Sequence, residues 1–150
     1  MFNDLHALVY LSRALIQFDK INIELLAKTS ARKNEQEQIS GYLCFKDGLF
    51  LQYLEGKNSH LNNLYHRIEA DKRHQIIQVI DLGEIARQKF QAWDMRYLDQ
   101  QELKQFNLED MLDWIIMDMK KESTAYQETI QHITEMVEYI VQLRSRSLIF

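Results

Sequence analysis

Tyr10 and Gln52 are the two side chains least at home in their surroundings. Gln52 lies inside the run Leu49-Phe50-Leu51-Gln52-Tyr53-Leu54. Alternate residues of a strand share a face, which groups it with Phe50 and Leu54, residues that should be buried. A buried amide needs partners for its oxygen and its nitrogen, and going without costs about 1–3 kcal/mol. Tyr10 stands in the same way in the first apolar run, on the face of Leu8 and Ser12. If the two runs pair as neighbouring strands, phenol and amide come within reach of each other. On these residues alone two readings stand: a satisfied Tyr–Gln pair in a core, or a functional pair of groups that both donate and accept hydrogen bonds.

Other residues invite the same comparison. Asn34 follows the first helical pattern, where it is either a C-terminal cap or a polar group kept for a purpose. Arg67, Asp71, Arg73 and His74 gather at the end of the second helix and just past it. Such a cluster is a solvated helix end or a phosphate grip, since Arg offers paired donors and His a third. Trp93 and Met95, one residue apart at the end of the last strand pattern, read as core by alternation. His6, His60, His66, His74 and His132 show no repeating metal-ligand spacing, and Cys44 in an apolar strand reads as a buried, inert thiol. Gly-x-Ser-x-Gly, Walker, His-Glu-x-x-His and Gly-x-Gly-x-x-Gly patterns are all missing. No enzymatic activity is expected.

The elements that must position these residues alternate early. Leu5–Arg13 reads as a strand buried on both faces. Ile21–Lys33 reads as a helix, with Asp19 or Asn22 to cap it. Ser40–Lys46 and Leu49–Glu55 form a hairpin around Asp47-Gly48. Asn58–Asp71 is a helix with Leu61, Leu64, Tyr65 and Ile68 on one face. Gln75–Gly83 is a strand, and Arg87–Trp93 a short fifth. The order βαββαβ is that of an α+β, ferredoxin-like sandwich, with both helices on one sheet face and the first and third strands adjacent. The other face is bare. Leu108, Met111, Leu112, Ile115, Ile116 and Met119, then Tyr126, Ile130, Ile133, Val137 and Ile140, keep helical spacing on either side of a break near Lys121–Thr124. These two amphipathic helices are expected to cover the bare face, a partner, or both, with the sheet the favoured choice.

Composition sets the bounds. The chain has 150 residues, 46% hydrophobic, with a formal charge of −4. Residues 1–100 hold thirteen basic and thirteen acidic side chains, and residues 101–150 hold five and nine, so the acidic excess lies in the last third. All four glycines fall before residue 84, and proline is absent. The lone cysteine excludes an internal disulfide framework. No apolar run approaches the ~20 residues of a membrane span, no secretory pattern opens the chain, and net acidity speaks against a nucleic-acid binder. A cytoplasmic location is expected.

Five fragments in order then resemble the BLUF family of blue-light sensors that hold FAD: Tyr10-Leu11-Ser12; Asn34; Ile39-Ser40-Gly41 with Phe50-Leu51-Gln52-Tyr53-Leu54-Glu55-Gly56; Asp71-Lys72-Arg73-His74; and Phe90-Gln91-Ala92-Trp93-Asp94-Met95. The resemblance implies a flavin ring between the two helices, with Tyr10 the photoactive tyrosine and Gln52 its hydrogen-bonded switch. It implies cofactor contacts from Ser30, Asn34, Ile39, Gln52, Arg67, Ile68, Asp71, Arg73 and His74, with Trp93 and Met95 as alternating occupants of the pocket beside the glutamine. This chain departs from the family at Gln38, where glycine is common, at Ser40 for threonine, and at Lys57 for proline; Lys33 is at a variable position.

The carry-over has a physical logic. Excited flavin is a strong oxidant, and a phenol that loses an electron becomes strongly acidic, so its proton leaves along a prepared hydrogen bond to the amide. The resemblance is to the short members, with residues 1–100 as sensor and residues 101–150 as output or oligomerisation segment. These signal through self-assembly or a separate effector protein, here with a basic face. Deleting residues 105–150 is expected to spare the spectral response and abolish light-dependent assembly. The rival readings are a flavin-free ferredoxin-like binding or dimerisation module and, further back, an acylphosphatase-type hydrolase, for which Ser12-Arg13-Ala14-Leu15 lacks a phosphate-loop glycine.

Overall fold

A computed structural model describes residues 4–90, 95–121 and 126–147. The elements are β1 (Leu5–Ala14), α1 (Lys20–Gln36), β2 (Ser40–Lys46), β3 (Leu49–Lys57), α2 (Asn58–Ala70), β4 (His74–Glu84), β5 (Met95–Leu98), α3 (Gln100–Gln105), α4 (Glu109–Lys120) and α5 (Tyr126–Ser147). They form one five-stranded sheet in the order β4-β1-β3-β2-β5. β1 runs antiparallel to β3 and β4, and β5 runs parallel to β2. This is the expected ferredoxin-like sandwich with an added edge strand.

Local chemistry accounts for the ends of the elements. Asp19 Oδ1 accepts from the Asn22 amide at 2.8 Å and caps α1. Asp47 and Gly48 turn the hairpin with φ of 53° and 77°, the left-handed pair that such a turn demands. α1 runs past its expected end. Its last turn holds Asn34, and the helix stops one turn later, where Ile39 N–H donates to the Asn34 carbonyl at 2.8 Å and Gln38 N–H to Glu35 at 3.1 Å. This is a Schellman closure, with Gln38 in the left-handed conformation at φ 59°. Asn34 is therefore not the cap; it lies inside the helix and is buried.

The fifth strand also differs from expectation. Residues 87–90 form no strand, residues 91–94 lie outside the described residues, and the pairing strand is Met95–Leu98. The reason is a competing acceptor. Lys89 N–H and Phe90 N–H donate to the carboxylate of Glu55 at 3.0 and 2.9 Å, so they are taken from any ladder.

Each sheet face has its own cover. On one, α1 and α2 pack through Ile23, Ala27 and Leu61. On the other, Val9, Leu11, Tyr42, Leu51 and Tyr53 form one cluster with Leu112, Ile115 and Met119 of α4 and Ile133, Met136, Val137 and Ile140 of α5. The tail helices thus cover the bare sheet. A short helix absent from the sequence reading, α3, precedes them: Asp99 Oδ1 caps it at Glu102 N–H, and its Leu103 is wholly buried.

Candidate functional site

Sheet register makes the first contact. Tyr10 and Gln52 stand directly opposite each other in the β1–β3 ladder, on the face covered by α1 and α2, and each is 5% exposed. Tyr10 Oη donates to Gln52 Oε1 at 2.5 Å. At its other end the same amide donates from Nε2 to Met95 Sδ at 3.4 Å. Met95 opens β5 opposite Gly41 of β2, so one glutamine joins the second strand of the sheet to its far edge. Trp93 lies outside the described residues.

Burial pushes the Tyr10 phenol far above its ordinary range, and the neighbouring Tyr65 hydroxyl and Asp71 carboxylate add to this. Tyr10 therefore holds its proton at any physiological pH. The rings of Tyr65 and His74 meet it edge-on, at 6.5 and 6.1 Å.

His74 is fully engaged. Its Nε2 lies 2.6 Å from the Ile68 carbonyl and its Nδ1 2.8 Å from Ser12 Oγ. The carbonyl can only accept, which puts a proton on Nε2. His74 shows the site its ring, and it has no spare donor for a phosphate.

Above this floor α1 and α2 part to leave a cleft of about 170 Å³. Tyr10, Gln52, Ser30, Asn34, Arg67, Ile68, Asp71, Arg73 and His74 all line it. Ile39 does not: it is wholly buried, packed with Leu54 and Leu61 beneath the cleft. The sequence reading missed Phe18, Leu26, Leu43, Phe50 and Leu64, the apolar walls, and Lys33 at the rim. Their signal was periodicity. Leu26, Ser30 and Lys33 fall four and three apart on one helical stripe, and Phe50 alternates with Gln52.

Charge collects at the mouth. Arg73 Nε and Nη2 donate to Asp71 at 3.0 and 2.6 Å, and these bonds hold the Asp71 carboxyl down at about 2. Arg67 Nη2 reaches both oxygens of Glu37, at 2.6 and 2.7 Å. Lys33 forms no ion pair among the described residues. The Asn34 amide, 2% exposed, has no hydrogen-bond partner among them either. Flat apolar walls, a polar floor, an unclaimed amide and a cationic rim suit a planar heteroaromatic ring that carries phosphate.

A family model described as sensors of blue-light using FAD, BLUF, matches residues 5–96. The chain belongs to the BLUF family. The β subunit of photoactivated adenylate cyclase from Euglena longa is 28% identical over 128 residues, 84% of this chain and 15% of that protein. Among solved structures, the BLUF protein BlrB in its dark state is similar at a TM-score of 0.72 and 24% identity, over 95% of this chain and 98% of that one; this likeness is one of fold. BlrP1 of Klebsiella pneumoniae, solved with FMN and cyclic diGMP, is 30% identical at a TM-score of 0.55, over 63% of this chain and 26% of that one. The chain thus spans only a small part of the cyclase relative.

Flavin-binding blue-light sensing is the BLUF function, and the donor set of the cleft fits a flavin. Asn34 and Gln52 offer amides for the polar edge of a ring, and Lys33, Arg67 and Arg73 offer cations for phosphate. Among the described residues no helix is long and apolar enough to cross a membrane, and no His, Cys, Asp and Glu cluster could hold a metal.

Proposed function

We propose that the chain senses blue light with FAD held between α1 and α2, and that Tyr10 and Gln52 are its switch. One observation carries the reading: a buried 2.5 Å phenol–amide bond whose amide also touches Met95 of the edge strand. Excited by blue light, a bound flavin supplies a strong one-electron oxidant. Tyr10, on the cleft floor, gives up the electron. Its oxidised phenol is strongly acidic, and the one hydrogen bond its Oη makes among the described residues leads the proton to Gln52 Oε1. An amide that gains a proton on oxygen sheds one readily from nitrogen, which a flavin that has taken the electron would be able to take up, so Gln52 passes through a state in which its two ends exchange roles. When electron and proton return to Tyr10, Gln52 is left rotated or tautomerised. Its Nε2–H to Met95 Sδ bond then has to break or be remade.

Ser30, Asn34, Arg67, Ile68, Asp71 and Arg73 hold the cofactor in this reading. FAD, rather than FMN, follows the family's description. Residues 1–100 are the sensor and residues 101–150 the output. Met95 is the link between them, because Leu98, three residues on, is buried in the cluster that α4 and α5 share. Trp114 and Met117, exposed on α4, offer a surface for self-assembly or for a separate effector. Cys44, free and buried in the sheet, suits a reducing, cytoplasmic compartment.

Absorption spectra of Tyr10→Phe and Gln52→Leu test the switch. Both variants should bind flavin and lose the reversible spectral shift of the wild type. A wild-type response from Gln52→Leu would remove the glutamine from the mechanism.

A further inference from the structure

Among the described residues, the exposed large apolar side chains other than Val79 fall in two patches. Single exposed apolar residues need no explanation, but a contiguous group does. The first patch lies at the start of α1. Ile21 and Leu25 stand one turn apart on its outer face, and Leu15 and Ile16 come from the loop that leads into it. Ile16 and Leu25 wall the same groove, and Leu15 N–H donates to the Arg73 carbonyl at 2.8 Å, which brings the turn before β4 alongside. Lys20, Lys28 and Lys72 are exposed at this end and form no ion pair among the described residues. Glu24 offsets one of them, and Asp19 is engaged as the cap of α1.

The second patch is on the tail helices. Trp114 and Met117 are one turn apart on α4. Trp114 meets the His132 ring of α5 edge-on at 5.3 Å, and exposed Tyr139 lies two turns further along the same side of α5. Here the rim is acidic. Asp110, Glu128 and Glu135 are exposed and without an ion pair among the described residues. Lys121 is bound to Asp118, and exposed Lys120 offsets one acid.

We infer that the basic patch of one copy docks on the acidic patch of a second copy of this chain, head to tail. The inference deepens the self-assembly reading of α4 above and makes no use of the flavin. Within one copy the patches cannot meet, because α1 and the tail helices cover opposite faces of the sheet. Apolar surface on both sides supplies the contact. Lysines facing carboxylates set its register, and pairing of like patches would put lysine against lysine or acid against acid. The contact is therefore heterologous, and each copy keeps one patch free for the next. An anionic lipid surface would match the first patch alone and leave the second uncovered.

The test is sedimentation of the full-length chain in the dark at up to ~100 μM, where a contact of micromolar affinity is populated. The wild type should pass from monomer to species larger than a dimer as concentration rises. Its association should weaken about tenfold in ~1 M salt, where charges are screened beyond about 3 Å. Ile21→Glu and Met117→Lys, both at exposed positions and checked for folding by circular dichroism, should each weaken association by about tenfold or more, since each sets a charge against its own kind. Mixed together, the two variants should form a 1:1 complex, because the unaltered acidic patch of the first meets the unaltered basic patch of the second. A wild type that stays monomeric overturns the contact, and so does a monomer that vesicles of anionic phospholipid recruit. Association that Ile21→Glu abolishes and Met117→Lys leaves intact overturns it too, as the mark of like patches pairing. None of these outcomes touches the flavin reading, which the absorption spectrum of the same sample decides.

Discussion

At the scale of single residues the site was legible where a polar side chain broke an apolar period. Tyr10 and Gln52 stood out because two-residue alternation buries them, and the register places them opposite each other as that argument requires. Asn34 was placed just past α1 rather than inside it, because nothing after it announces the end of that helix. The residue that turns the chain is Gln38, at φ 59°, where glycine is the usual choice and costs least. Substituting Gln38→Gly should therefore raise stability by about 1 kcal/mol, seen as a higher urea midpoint with unchanged slope. A lower midpoint would mean that the side chain makes up for the strain. His74 taught the opposite lesson: its type suggested a phosphate donor, but Ser12 and the Ile68 carbonyl, both distant in sequence or on the backbone, occupy its two nitrogens. No local pattern shows such partners.

Among elements, strands and helices with strong periodicity were readable, and the fifth strand was not. Its apolar pattern over Arg87–Trp93 was real, but Lys89 and Phe90 within it are held by a side chain. Glu55, wholly buried, accepts from Ser40 Oγ at 2.6 Å, from Tyr53 Oη at 3.0 Å and from two backbone N–H groups of the segment before β5. Four donors converge on one carboxylate, so an amide there must turn its own NH₂ toward donors. Glu55→Gln should destabilise the fold by about 2–3 kcal/mol in denaturant unfolding. A change under about 0.5 kcal/mol, the range of ordinary surface substitutions, would show that the clamp is dispensable. Lys89, which donates its N–H to Glu55, also pairs its ammonium with Glu138 of α5, tying this segment to the tail.

Over the whole molecule the tail is part of the core. The amphipathic spacing of α4 and α5 was plain in the sequence, but their destination was not, because an apolar stripe fits a sheet and a partner equally well. The structure places Leu112, Ile115, Ile133 and Ile140 against β1, β2 and β3. A chain cut after Lys104 would expose that face, so the truncation that the sequence suggested as a clean separation of sensing from output should give an aggregating or molten protein with weak near-ultraviolet circular dichroism. A folded, monomeric truncation would contradict this. The account as a whole turns on light reaching the Tyr10–Gln52 pair through a bound flavin. The most direct test is the visible absorption spectrum of the purified full-length chain in the dark, after blue light and through recovery. A flavin band that moves slightly to the red and returns unbleached is the predicted result. A protein that stays colourless after reconstitution with FAD, or a bound flavin whose band light does not shift, would contradict it.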